Sequence, residues 1–275
     1  MKYCAVGLLL LGASLRAQAP SVEQIMSHVA ENQARAQKTR RVFVYQQRVA
    51  LRSHRDGGKL TREEIHEYTV TPTESGSVKK LVRFEGKYAN NGKLISYNEP
   101  GYEYRDLDLD GEIMDDLAED LTDDDSSRDG IGSDLFPLTA DQQEKYTFAL
   151  KGVEKYKAAR VYRIAFRPKP GSQAPWAGEA LVETQEFQPV RVTTRLARGI
   201  PLAVRTLLGT DVKGLGFSVA YDKFGEGLWF PVSYGGEFQI RALFVYKRTI
   251  SISLANSNFR RTDVKSTVAF APDEQ

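Results

Sequence analysis

From about residue 176 to residue 268, apolar and polar positions alternate along the chain. Leu215, Phe217, Val219 and Tyr221 fall at every second position. After a Gly225-Glu226-Gly227 turn, Leu228, Phe230, Val232 and Tyr234 do the same. Phe238, Ile240, Ala242, Phe244 and Tyr246 continue the pattern, and Ile250, Ile252 and Leu254 close it. A period of two gives each strand one apolar and one polar face. Gly-rich breaks at this spacing fold successive strands back as an antiparallel meander.

Upstream, the same alternation marks strands over Phe43–Leu51, Leu60–Thr71, Val78–Gly86 and Lys93–Tyr97. Arg55-Asp56-Gly57-Gly58 and Asn90-Asn91-Gly92 supply hairpin turns. Strands resume around Phe148 and Leu150, then Tyr162–Phe166, Gly178–Thr184 and Val190–Leu196. Two kinds of segment break the pattern. Ser21 with Gln24 forms a capping box, and Val22, Ile25, Met26, Val29, Gln33 and Ala36 follow at helical spacing, which predicts an amphipathic helix that docks on a sheet. His28 lies off that stripe and is expected in solvent. Leu138–Lys145 reads as a short helix. Residues 199–209, with Pro201 near the start and Gly209 at the end, read as an apolar lid or plug carrying Leu207 and Leu208. The fold class expected is mainly β: a strongly curved antiparallel sheet of about eleven strands, a half-barrel or closed barrel, with an N-terminal helix and short inserted helices.

The first nineteen residues change the picture of where the chain works. Lys2 precedes a short apolar run from Ala5 to Leu15, and Ala17-Gln18-Ala19 gives a small-x-small cleavage signal before Pro20. The run is shorter than the roughly 20 residues a bilayer span needs, so residues 1–19 read as a secretory signal peptide. The remainder, 20–275, reads as one domain in the periplasm or outside the cell, with no transmembrane segment after cleavage. Cys4, the one cysteine, lies inside the leader, so the mature chain has neither thiol nor disulfide and relies on its core for stability.

Charge is balanced overall but uneven. Cleavage removes Lys2 and Arg16, leaving as many basic residues as the 36 acidic ones, which gives no general argument for nucleic acid. Residues 103–134 hold fourteen carboxylates against Arg105 and Arg128. Within them D-L-D-L-D-G-E, residues 106–112, matches the opening of a calcium loop, with Asp106, Asp108 and Asp110 able to converge on one cation. The match fails at the twelfth position, where Leu117 stands in place of a bidentate Glu. A solvated acidic loop with local helix, a weak calcium site and a clasp over the basic sheet are the readings; no other metal or cofactor is expected. The basic residues Arg191, Arg195, Arg241, Lys247, Arg260 and Arg261 fall on the polar strand faces, as a solvated exterior or a rim for an anionic partner.

Enzyme signals are poor. His28, His54 and His66 have no obvious partners, and H-E-Y-T-V at His66 lacks the second histidine of a zinc-protease helix. Glu63 and Glu64 are adjacent and so face opposite sides of a strand. There is no G-x-S-x-G and no phosphate loop.

Together, Tyr221, Phe224, Gly227, Trp229 and Pro231 in Y-x-x-F-x-x-G-x-W-F-P resemble the LolA-like group of periplasmic lipoprotein carriers and outer-membrane lipoprotein-sorting proteins. Gly178 and E-F-Q-P-V-R-V, residues 186–192, add the preceding hairpin. The chain is longer than the carriers and adds the acidic insertion. The resemblance implies an unclosed barrel whose apolar concave face, lidded by helices, holds acyl chains or a hydrophobic partner. The expected function is then a non-enzymatic envelope protein binding a lipid, an acyl chain or a lipidated partner. The candidate ligand-binding residues are Phe217, Val219, Tyr221, Leu228, Phe230, Val232, Phe238, Ile240 and Phe244, with Leu207 and Leu208 on the lid. The alternatives are a filled barrel that meets an envelope protein through its acidic loop or basic rim and, more remotely, a hydrolase.

Overall fold

The structure, a computed structural model, describes residues 19–73, 77–106, 108–122, 136–197, 211–225, 228–242 and 246–262. The expected plug at 199–209, with Leu207 and Leu208, and Phe244 lie outside the described residues, as does nearly all of the expected leader.

Helix α1 spans Val22–Arg40, and both bonds of the Ser21–Gln24 capping box are present. Strands β1 (Phe43–His54), β2 (Leu60–Pro72), β3 (Ser77–Asn90) and β4 (Lys93–Tyr97) form a first meander. Helices α2 (Leu109–Thr122) and α3 (Ala140–Gln143) follow. A second meander comprises β5 (Tyr146–Tyr156), β6 (Ala159–Pro168), β7 (Trp176–Glu183) and β8 (Pro189–Leu196). Then come β9 (Asp211–Lys213), β10 (Gly216–Phe224), β11 (Leu228–Ala242) and β12 (Tyr246–Arg261). The last three long strands join the two meanders: β12 pairs with β1 and β10 with β8. One antiparallel sheet results, in the order β4-β3-β2-β1-β12-β11-β10-β8-β7-β6-β5, with β9 beside β11.

The path ends at β4 and β5 and does not close, so the fold is an open half-barrel. Register shifts occur between Val44 and Gln46, Ser53 and His54, Glu67 and Tyr68, Leu150 and Gly152, Leu181 and Val182, and Ala220 and Tyr221. Bulges bend a strand and raise its twist, so six of them coil the sheet. Asn91 (φ 48°) and Gly92 (φ 79°) make the β3–β4 hairpin in the left-handed region, as the Asn-Gly signal requires.

α1 lies across the strands. Gln143 Nε2 donates to Met26 O near its start, Asn32 Nδ2 donates to Glu186 O in the β7–β8 turn, and Arg40 Nη1 donates to Trp229 O at the head of β11. Its apolar stripe, Ile25, Met26, Val29 and Ala36, is buried. α2 packs instead on β1 and β2, burying Met114, Leu117 and Ala118. Over residues 109–122 the acidic stretch is therefore helical, as the local-helix reading has it, but docked on the sheet through one face, with Glu112, Asp115 and Asp116 exposed. No described helix is long and apolar enough to cross a membrane.

Candidate functional site

The inner face of the sheet has an apolar tract and a polar margin. Register places Ile250 beside Phe238 and Ser53, Ile252 beside Leu51, and Leu254 beside Tyr234 and Val49. All of these are buried. The expected ligand residues Val219, Tyr221, Phe230, Phe238 and Ile240 are buried in the same core, while Phe217, Leu228 and Val232 are half-buried against it. Trp229 and Phe230 pair with Lys223 and Asp222 in unbroken register and so face opposite sides of β11, yet both are buried. Phe230 packs on Phe43 and Phe259, with ring centroids at 5.2 and 4.2 Å. Trp229 lies by α1, and its indole N–H donates to Glu186 Oε2 at 2.8 Å.

At β2 the tract turns polar. Arg62, Glu64, His66 and Tyr68 occupy alternate positions and point inward with Val70, each under 9 % exposed. Their bonds form a chain. Arg62 Nε donates to Glu64 Oε1 (3.0 Å), His66 Nε2 meets Glu64 Oε2 (3.1 Å), and the Tyr68 hydroxyl meets His66 Nδ1 (3.1 Å). Tyr97 donates its hydroxyl proton to Glu64 Oε1 (2.5 Å), and the Arg62 guanidinium lies over the Tyr97 ring at 4.8 Å. Burial pushes the Glu64 carboxyl up, but the donors His66, Tyr97 and Arg62 together outweigh it and hold it below its ordinary range. Burial and the nearby Glu64 charge push Tyr68 up to about 12. The expectation that His66 has no company is overturned: its partners sit two residues away on the same strand face.

The start of α2 is clamped onto this margin. Asp108, fully buried, accepts from Arg62 Nη1 at 2.5 Å and caps the helix by accepting from the Gly111 N–H at 3.2 Å. Arg62 Nη2 also donates to Tyr102 O. Asp110 accepts from Arg248 Nε (2.8 Å) and Nη2 (3.0 Å), from Ser53 Oγ (2.7 Å) and from Tyr246 (2.8 Å). Burial raises the Asp110 carboxyl, and the bonds from Arg248, Ser53 and Tyr246 outweigh that and leave it depressed. Asp106 is exposed. The three aspartates thus do not converge: α2 turns Asp108 and Asp110 to different arginines and leaves Asp106 in solvent. Among the described residues no group of three metal-binding side chains forms. Gly111, read as the turn of a calcium loop, sits in the helix, where a Cβ would stand 2.9 Å from Arg62 Nη1. Its smallness admits the guanidinium.

Of the basic rim, Arg191, Arg195, Arg241, Arg260 and Arg261 are exposed and Lys247 is half-exposed. His28 is exposed beside Phe187.

No family model matches the chain and no curated protein is similar to it in sequence. Solved structures are similar in fold at low identity. A Vibrio parahaemolyticus domain assigned to outer membrane lipoprotein sorting matches with a TM-score of 0.40 and 9 % identity, over 87 % of this chain and 94 % of that one. A DUF1329 family protein from Desulfovibrio piger gives 0.38 and 13 %, over 91 % and 96 %. A LolA superfamily protein from Nitrosomonas europaea gives 0.36 and 12 %, over 87 % and 94 %.

Proposed function

We propose that the protein is an exported, non-enzymatic binding protein that holds an acyl chain or lipidated partner against the inner face of its half-barrel, beneath α2. The observation that carries this reading is the way α2 is attached. It covers the apolar side chains of β1 and β2, yet its first turn is fixed by carboxylate–arginine pairs. Pairs of this kind exchange one charged partner for another, whereas interdigitated core packing does not. A lid that can lift from an apolar wall is what a carrier of an insoluble chain needs. The Y-x-x-F-x-x-G-x-W-F-P resemblance and the leader-like first nineteen residues support an envelope role.

Glu64 and His66 support the non-enzymatic reading. Both Glu64 oxygens and both His66 nitrogens are engaged with neighbouring side chains. That pattern belongs to a structural keystone more than to a proton shuttle awaiting substrate.

Native mass spectrometry of protein purified from the periplasm, followed by lipid extraction, tests the proposal. Co-purifying acyl lipid or acylated peptide is the expected result. Protein that emerges empty and ignores added fluorescent fatty acid contradicts it. The packed interior, with Phe230 and Phe238 at 1 and 2 % exposure, favours one second reading: a filled half-barrel that meets an acidic protein partner through the exposed arginines. Empty protein that captures such a partner only while Arg260 and Arg261 are intact would establish it.

A further inference from the structure

The polar margin says which lipids such a site would accept. Arg248 lies on the inner face opposite Ile240 in the register, at the end of the row Ile250, Ile252 and Leu254. From Leu254 to Arg248 the strand runs ~20 Å, more than one leaflet's share of a ~30 Å bilayer core. An apolar wall of that length ending in a guanidinium has the layout of an amphiphile. Arg248 is 9 % exposed. Its paired Nε and Nη2 donors both go to the Asp110 carboxylate, and Nη1 goes to Lys247 O. Ser53 and Tyr246 also aim their hydroxyls at Asp110. Beside them, Arg62 holds Asp108 through Nη1 and Glu64 through Nε.

Both lid carboxylates leave if α2 lifts. Arg62 keeps Glu64, whereas Arg248 is left on a largely dry wall without a carboxylate among the described residues. Stranding a buried cation is costly, so opening is coupled to arrival of a replacement anion. We propose, resting on the reading above, that the ligand is an anionic amphiphile: its carboxylate or phosphate takes the place of Asp110 on Arg248, Ser53 and Tyr246, while its tail lies along Ile250, Ile252 and Leu254. Asp110 is then an internal stand-in for the headgroup. Neutral amphiphiles are disfavoured because they lift the lid without neutralising the arginine.

The test is a titration of the leaderless full chain, residues 20–275, with oleate, a lysophosphatidylglycerol, neutral monoolein and inorganic phosphate. Wild type is expected to bind both anionic lipids about tenfold to a hundredfold more tightly than monoolein, the span of a charged hydrogen-bonded contact. The Asp110→Asn/Arg248→Gln double variant, which removes both charges and leaves an amide at each position, is expected to bind all three lipids within about twofold of each other. Arg248→Lys, which keeps the charge, is expected to retain part of the preference. If oleate binds and the phospholipid does not, the headgroup is a carboxylate; the reverse makes it a phosphate. Equal binding of monoolein and the anionic lipids by wild type overturns the headgroup assignment while leaving the carrier reading intact. A preference that survives in the folded double variant overturns it too, as does inorganic phosphate binding as tightly as the lipids. Failure of every lipid to bind overturns the carrier reading itself.

Discussion

Helices α1 and α2 cover different parts of one sheet face and are fastened to it by different physics. α1 buries Ile25, Met26, Val29 and Ala36, and its polar contacts to the sheet include amide and guanidinium donors on the backbone carbonyls of residues 186, 187 and 229. A carbonyl in a strand or turn has no mobile replacement, so those bonds belong to one arrangement. α2 buries Met114, Leu117 and Ala118, but its first turn is held by Asp108 and Asp110 on Arg62 and Arg248. Each of these is a charge that another anion can match. On the proposed reading, the difference makes one helix part of the scaffold and the other a lid whose release is a question of charge.

The comparison breaks hardest at Arg62. Arg62→Ala leaves Glu64 and Asp108 buried without their cation, and a loss of about 3–5 kcal/mol is expected, read from urea unfolding. Ile25→Ala attacks the other helix through packing alone. It should cost about 2–5 kcal/mol and leave α2 protected in hydrogen exchange. Asp110→Asn is milder, because Asn still accepts from Ser53 and Arg248. About 1.5–3 kcal/mol is expected, with faster exchange confined to residues 109–122.

Acid should separate the helices further. The Asp110 and Glu64 carboxyls are depressed below their unfolded values. Their contribution is therefore full above the ordinary carboxylate range and is lost as pH falls below about 4. Near-ultraviolet circular dichroism and exchange across pH 5 to 2 should show α2 loosening before α1. Smallest is Ser21→Ala, which removes the side-chain acceptor of the capping box. About 1 kcal/mol is expected from α1, with no change in lid behaviour.

Much of this fold could be read from residue order. The Ser21–Gln24 box and the stripe from Val22 to Ala36 give α1, and the turns at Gly57-Gly58 and Asn91-Gly92 give two hairpins. Alternation gives the long strands, because a half-buried antiparallel strand has nothing else to be. What alternation does not carry is how far each face is covered: Trp229 and Phe230 point to opposite faces, as a strict period of two requires, yet both are buried. The polar site was illegible for a different reason. Asp108 and Asp110 look like a solvated or calcium-seeking run because their arginines lie 46 residues back and 138 residues on along the chain. One local signal was present. Arg62, Glu64, His66 and Tyr68 alternate in phase with Val70, so polar residues occupy the face that must be buried, and buried charges imply partners.

The most direct test of the lid is hydrogen–deuterium exchange of the leaderless chain with and without a saturating anionic amphiphile, followed at residues 22–40 and 109–122. Ligand should speed exchange in 109–122, as Asp108 and Asp110 give up their arginines, and leave 22–40 unchanged. Bound ligand with α2 as protected as before, or with α1 opening in its place, would contradict the assignment of scaffold and lid.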